Sequence, residues 1–475
     1  MSARWGEITA GEIASVTGGR ILCGLEATRF AALSTDSRKI GQGDLFWALK
    51  GERYDGHAFV GEALRQGAAG ALISADRMDA ASLSGSAPVI AVPDTLHALG
   101  ALASWWRHQH PAVLAAITGS MGKTTTKAMT SAILGIRRKT LSNEGNFNNL
   151  VGLPLSLFRL DETHRAAVLE MGMNRPGEIA RLTEIADPDV GLITNVGRVH
   201  LEGLGDIQGV ARAKAELVEK MSDRGTAVLN GDDEVLMAAA SRFERKAVTF
   251  GLGPKNNIQA QNVRDLGRDG TSFDLCYQGE TGPMRLRLPG RHHVMNALAA
   301  SAIAVCLGEK FDLISEGLSG FLGIKGRFTV DDLPGGAVLV DDTYNSNPSS
   351  LRAALQHLRN LVPEGGRVIV GLGDMLELGR ETDPAHLEAG EMVAKLGADL
   401  FLALGDHAEL MIQGARQHGL APARTARVAN HEEMVRLLKS EMRKGDLIFL
   451  KGSRRVGLDR VARGLRNGKS EGGVS

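Results

Sequence analysis

The sequence predicts an α/β protein of three domains, and three observations carry that prediction. The first is length: at roughly 100–200 residues per domain, 475 residues accommodate about three. The second is a recurring alternation of short apolar runs with helix-like segments, the pattern of a parallel sheet covered by helices. The third is a change of texture between about Phe243 and Leu288, where glycine-rich runs of alternating polarity interrupt that rhythm.

The first expected domain covers residues 1–110. Runs 44–49 and 70–73 read as strands, and residues 95–109 read as a helix that ends before Pro111, as helices commonly do ahead of proline. The second covers residues 111–327. It opens on a buried-strand pattern at 112–117, which runs into a Gly-rich turn and a helix rich in Thr, Lys and Met. Runs 166–169 and 190–193 continue a parallel sheet. Residues such as 271–277 alternate as an antiparallel β insertion does, and an Ala-rich helix at 293–307 closes the domain. The third covers residues 328–475, where strands at 338–340, 368–370, 400–404 and 447–450 alternate with helices in a Rossmann-like pattern. The polar, glycine-rich residues 467–475 read as a frayed tail.

Bulk composition removes several classes of function. The 55 Lys and Arg balance the 55 Asp and Glu, which argues against nucleic acid or an anionic membrane as the main partner. Cys23, Cys276 and Cys306 are odd in number and far apart, so neither a disulfide framework nor zinc spacing is present. The N-terminus lacks an apolar signal segment, and no apolar run of about 18 residues exists. A cytoplasmic protein without membrane insertion is expected.

The strongest local signal is Thr118-Gly119-Ser120-Met121-Gly122-Lys123-Thr124-Thr125, set between a predicted strand and a predicted helix. Glycines let backbone N–H groups approach phosphates, and the helix N-terminus adds unsatisfied donors and partial positive charge. Lys123 can reach the β/γ oxygens and a Thr hydroxyl can ligate Mg²⁺. Ile117 stands where the longer form of such loops has a glycine, so this is the short form. Downstream, Asn143, Asn146, Asn148 and Asn149 crowd one loop and supply amide donors and acceptors suited to a peptide-like substrate. Glu170 ends the strand at 166–169, where a carboxylate in the same sheet as the loop can hold Mg²⁺.

Read together, the short loop, the Asn-rich segment 143–149, Leu169-Glu170-Met171-Gly172, Thr194–His200, Ala213-Lys214-Ala215-Glu216, Pro289–Ala297, Lys325–Phe328, Asp341-Asp342-Thr343-Tyr344-Asn345-Ser346-Asn347-Pro348, Gly373–Gly379 and Lys451-Gly452-Ser453-Arg454 resemble the Mur ligase family over nearly the whole chain. The Asn-rich loop and the Tyr344–Pro348 segment resemble the branch that adds D-alanyl-D-alanine. The resemblance implies ATP-dependent amide formation on a UDP-muramoyl tripeptide through an acyl phosphate, with Lys123, Glu170, His200 and Lys214 as catalytic groups. It implies two Mg²⁺ ions near Thr124, Glu170, His200 and Lys214, with Lys214 carbamylated by CO₂. Residues 119–125, Asn296, Arg327, Asp342, Tyr344 and Asn347 would face ATP. Ser37 and Arg38, in a stretch that continues through Gly43–Phe46 and Gly51–His57, would lie near the uridine diphosphate, and Arg454 near substrate. A monomer is the expected state. His293 departs from the family, which usually has Asn there. Other ligases of the family, a nucleotide switch and a non-enzymatic nucleotide-binding scaffold are the competing readings. Whether the third stem residue is diaminopimelate or lysine stays open.

Overall fold

A computed structural model describes residues 7–51, 53–77 and 86–467. The leader reading at residues 1–6, Glu52 and the tail at 468–475 lie outside the described residues. Three sheets follow one another along the chain.

The N-terminal sheet contains β1 (Arg20–Cys23), β2 (Leu33–Ser34), β3 (Leu45–Trp47), β4 (Gly70–Ser74) and β5 (Val89–Val92), in the order β1-β5-β4-β3-β2. Its helices are α1 (Ala10–Thr17), α2 (Val60–Arg65) and α3 (Thr95–His108). α3 starts where the Asp94 carboxylate accepts from the N–H groups of Leu96 and His97 at 2.7 and 2.9 Å, a strong N-cap.

The central domain runs β6 (Val113–Thr118), α4 (Lys123–Gly135), β7 (Thr140–Ser142), α5 (Gly152–Leu157), β8 (Ala166–Glu170), α6 (Glu178–Ala186), β9 (Val190–Ile193), α7 (Leu201–Leu204), α8 (Ile207–Lys220), β10 (Thr226–Asn230), α9 (Glu234–Ala240), β11 (Ala247–Gly251), β12 (Ile258–Asp265), β13 (Thr271–Tyr277), β14 (Glu280–Leu286), α10 (Arg291–Cys306) and α11 (Phe311–Ser319). The nine strands lie in the order β14-β13-β12-β11-β10-β9-β6-β8-β7. β6, β8 and β9 are apolar at almost every position because helices cover both faces of a parallel sheet.

The expected antiparallel insertion differs in two respects. β11 pairs in parallel with β10 and with the start of β12; only β12, β13 and β14 pair antiparallel. Those three strands also continue the parallel sheet instead of forming a separate unit. The sheet edge at β11 presents unpaired backbone donors and acceptors, and the meander satisfies them.

The C-terminal domain contains β15 (Thr329–Asp332), β16 (Val338–Asp342), α12 (Pro348–Leu358), β17 (Val368–Gly373), α13 (Thr382–Leu396), β18 (Leu400–Leu404), α14 (Ala408–Gln417), β19 (Thr425–Val428), α15 (His431–Glu441), β20 (Leu447–Lys451) and α16 (Asp459–Arg466). The order is β15-β16-β20-β17-β18-β19, parallel except for the β15 edge.

The seams between domains differ. One buried apolar cluster runs from Ile8 through Trp47, Leu102 and Trp106 into Leu153, Leu169 and Leu217, so the N-terminal and central domains share a core through α3. The clusters of the C-terminal domain contain only residues from Phe328 onward. No helix is long and apolar enough to cross a membrane, among the described residues.

Candidate active site

β6 delivers the chain into the glycine turn, and the turn into α4. Gly119 has φ +144° and Gly122 φ +81°. A Cβ at Gly119 would fall 1.8 Å from Thr194 Oγ1, and one at Gly122 would fall 2.2 Å from Asn296 Oδ1. Neither position tolerates a side chain. The loop is pinned from behind by the segment after β9: Asn195 Oδ1 accepts from the Met121 N–H at 2.9 Å, and Thr194 Oγ1 donates to Met121 O at 2.6 Å. α4 begins at Gly122 without any side-chain cap. Its first-turn N–H groups are therefore available to phosphate oxygens.

Lys123 folds back over the loop, its Nζ donating to Gly119 O at 2.7 Å. Burial lowers its pKa, with Glu170 opposing the shift. Glu170 closes the floor of the site. Its carboxylate accepts from Thr124 Oγ1 and from Asn148 Nδ2, each at 2.9 Å, and Lys127 Nζ lies 3.8 Å away. A hydroxyl and a carboxylate beside the open end of α4 make a hard oxygen donor set of the kind Mg²⁺ takes.

The Asn-rich loop divides its labour. Asn146, Asn148 and Asn149 border the cavity. Asn143 does not: its amide donates to Phe147 O and Glu170 O at 2.8 and 2.9 Å and accepts from the Glu170 N–H at 3.0 Å. Both amide donors and the amide oxygen are engaged in this way, so Asn143 tethers Glu170.

His200, at the N-terminus of α7, has φ +53°, and its Nδ1 lies 2.9 Å from Glu377 Oε2 of the C-terminal domain. Glu377 itself has φ +64°. Two non-glycine residues in the left-handed region meet across the seam, where such strain is commonly held for function. The contact with His200 holds the Glu377 carboxyl below its usual range. Lys214 sits on α8, buried, and does not border the cavity. Burial pushes its ammonium well below the ordinary lysine value, and the charge of Lys123 pushes the same way.

The end of the central domain and the C-terminal domain together supply the roof. Arg327 donates to Thr124 Oγ1 at 2.9 Å and lies 3.8 Å above the Tyr344 ring, which Arg454 faces at 4.8 Å. This is a cation–π stack that holds two guanidinium groups over the phosphate loop. Lys451, to which sequence reading gave no role, donates to Asp342 Oδ2 at 2.5 Å and to Asn345 O at 3.0 Å. Burial pushes the Asp342 carboxyl up and the Lys451 ammonium down. The signal for this pair is the register of β16 and β20, which sets Asp342 opposite Lys451.

Together the loop residues 120–125, Glu170, His200, Asn296 and Arg327 face Asp342, Tyr344, Asn347 and Arg454 across one cavity of about 670 Å³. Ser37 and Arg38 lie apart from it on the N-terminal domain, with Arg38 exposed and forked onto Asp36 through two 2.8 Å bonds. Asp374, His386 and His407 also converge at metal-ligand spacing. Yet His386 Nε2 accepts from the Met375 N–H at 3.0 Å and its Nδ1 lies 2.6 Å from Thr382 O. That imidazole has no lone pair to offer, and the cluster is an internal brace.

Three family profiles match the chain: one described as Mur ligase family, catalytic domain, at residues 29–107, one as Mur ligase middle domain at 117–304, and one as Mur ligase, glutamate ligase domain, at 326–454. The UDP-N-acetylmuramoyl-tripeptide–D-alanyl-D-alanine ligase of Escherichia coli K12 is 37% identical over 92% of this chain and 93% of its own length. A crystal structure of MurF from Acinetobacter baumannii superposes with a TM-score of 0.87 at 31% identity, covering 96% of this chain and 98% of that one. MurF from Thermotoga maritima, in complex with ADP, gives 0.81 at 28% identity over 92% and 97% of the two chains.

Proposed function

Because the chain belongs to the Mur ligase family, we propose that it joins D-alanyl-D-alanine to a UDP-N-acetylmuramoyl tripeptide at the expense of ATP, a step of peptidoglycan precursor synthesis. The observation that carries the reading is the uncapped start of α4, with Lys123 and the Thr124–Glu170 pair beside it.

In this mechanism the terminal carboxylate of the tripeptide attacks the γ-phosphorus of ATP, giving an acyl phosphate and ADP. Lys123 and the α4 N–H groups take up charge on the transferred phosphoryl group. The amine of D-alanyl-D-alanine then attacks the acyl carbon, a tetrahedral intermediate forms, and phosphate leaves as the amide remains. Thr124 and Glu170 fit one Mg²⁺, which would neutralise phosphate charge when bound. His200 and Lys214 are assigned to a second. A depressed lysine pKa favours the free amine, the form that adds CO₂, which supports a carbamate at Lys214. Asn296, Arg327, Asp342, Tyr344 and Asn347 are assigned to ATP. The remaining asparagines of the loop and Arg454 are assigned to the peptide, and Ser37 and Arg38 to the uridine diphosphate. We place the domain limits at residues 1–110, 111–327 and 328–475, and assign a cytoplasmic monomer.

Phosphate release from ATP and Mg²⁺ is the test, with the UDP-muramoyl tripeptide present and D-alanyl-D-alanine added or omitted. Release that requires both, with the pentapeptide product seen by mass, is expected. Release indifferent to both would place the chain among nucleotide switches and end the substrate assignments.

A further inference from the structure

Several helices here provide their own N-terminal acceptor, with Asp94, Asp206 or Asn347. α10 does not. Its N-cap is Gly290, which has φ +103° and no side chain to accept with. The first N–H of the helix, that of Arg291, instead donates to His357 Nε2 at 3.2 Å. His357 lies 66 residues away in the C-terminal domain, near the end of α12. The close approach depends on the glycine, since a Cβ at 290 would meet His292 at 2.8 Å and His357 at 3.4 Å.

Both helices involved belong to the cleft. The first turns of α10 carry His292, His293 and Asn296 to its wall. α12 lines the opposite side with Ser350 and Ala354, and its C-terminal end reaches back over the seam. Asn360, just past α12, donates to Asp265 Oδ2 at 2.7 Å, and the same carboxylate lies 4.0 Å from His357 Nδ1.

We propose that His357 is a positioning residue for nucleotide binding: it caps α10 from across the domain boundary, so that the nucleotide wall of the central domain is complete only when the C-terminal domain is docked. The inference rests on the nucleotide assignment of this cavity. Binding and docking are then reciprocal, each favouring the other by the same factor. His357 touches no reacting group. Its removal acts on the alignment of Asn296 and His292.

The experiment compares His357→Leu, which cannot accept, with His357→Gln, whose side-chain oxygen can. The Leu variant is expected to raise KM for ATP about five- to tenfold, the size of one lost cap, with kcat within about twofold and KM for the UDP-tripeptide unchanged. The Gln variant is expected to recover most of the loss. Equal rises in KM for all substrates, or a Gln variant as impaired as Leu, would mean that His357 only supports the fold and would overturn the proposal. ADP titration by calorimetry separates the two layers of the argument. Failure of the unaltered protein to bind ADP would sink the nucleotide assignment itself, while tight binding left unchanged by His357→Leu would sink the cap alone.

Discussion

The two seams of this molecule are built from opposite materials. Between the N-terminal and central domains, Trp106 lies buried on α3 with its Nε1 donating to Leu160 O at 3.1 Å, inside a single apolar cluster common to both. Between the central and C-terminal domains, by contrast, the ties are polar. They include His200 to Glu377, Asn360 to Asp265, Arg268 to Asp332 and the Arg291 N–H to His357. A shared apolar core resists separation because opening it exposes hydrocarbon to water. Polar ties exchange with water at little net cost, so domain motion is the default across such a seam. The cavity lies at the second seam, where the proposed reaction, which must exclude water from an acyl phosphate, benefits from closure.

Substitutions at the two seams should therefore separate activity from stability. The largest effect is expected from Lys123→Ala, on the cleft side: amide formation falls about a thousandfold, with the melting temperature and UDP-substrate binding nearly unchanged. Full activity in that variant would remove the phosphate-loop assignment. On the apolar side, Trp106→Ala should cost about 3–5 kcal/mol in denaturant unfolding, and a loss under about 1 kcal/mol would show that the shared core is not what joins those domains. Lys214→Ala should lose about a hundredfold in rate, partly restored by short carboxylic acids that replace the carbamate; without any rescue the carbamate reading fails. Small-angle scattering should show the radius of gyration falling when ATP and both other substrates saturate the protein, and an unchanged radius would argue against a moving C-terminal domain.

The smallest expected effect concerns pH. Burial lowers His293 from 6.5 to about 3, and neither of its ring nitrogens has a hydrogen-bond partner. Between those values the unfolded chain binds a proton that the folded chain does not, so this histidine makes stability rise with pH across the window and fall as pH drops below 6.5. His293→Asn, which does not titrate, should flatten the loss of melting temperature between pH 7 and pH 5. An unaltered slope would mean that other groups govern acid unfolding.

What the sequence determined alone is the local machinery. The strand–turn–helix at 113–135 is legible because its requirements are met within a few residues: apolar β6, glycines where φ is positive, and Lys-Thr-Thr at the helix start. Glu170 at the end of β8 is legible for the same reason, since strand and carboxylate are adjacent. Tertiary structure alone decided what depends on residues far apart. It turned Asn143 inward onto Glu170, because the β8 end left a backbone N–H and C=O that this amide could satisfy. It set Lys451 against Asp342, 109 residues earlier, through the pairing of β20 with β16. It kept β11 parallel, since a strand's direction follows from which sheet edge it completes and not from its own alternation. And it gave α10 a cap from another domain, a partner that no window of sequence around Gly290 contains.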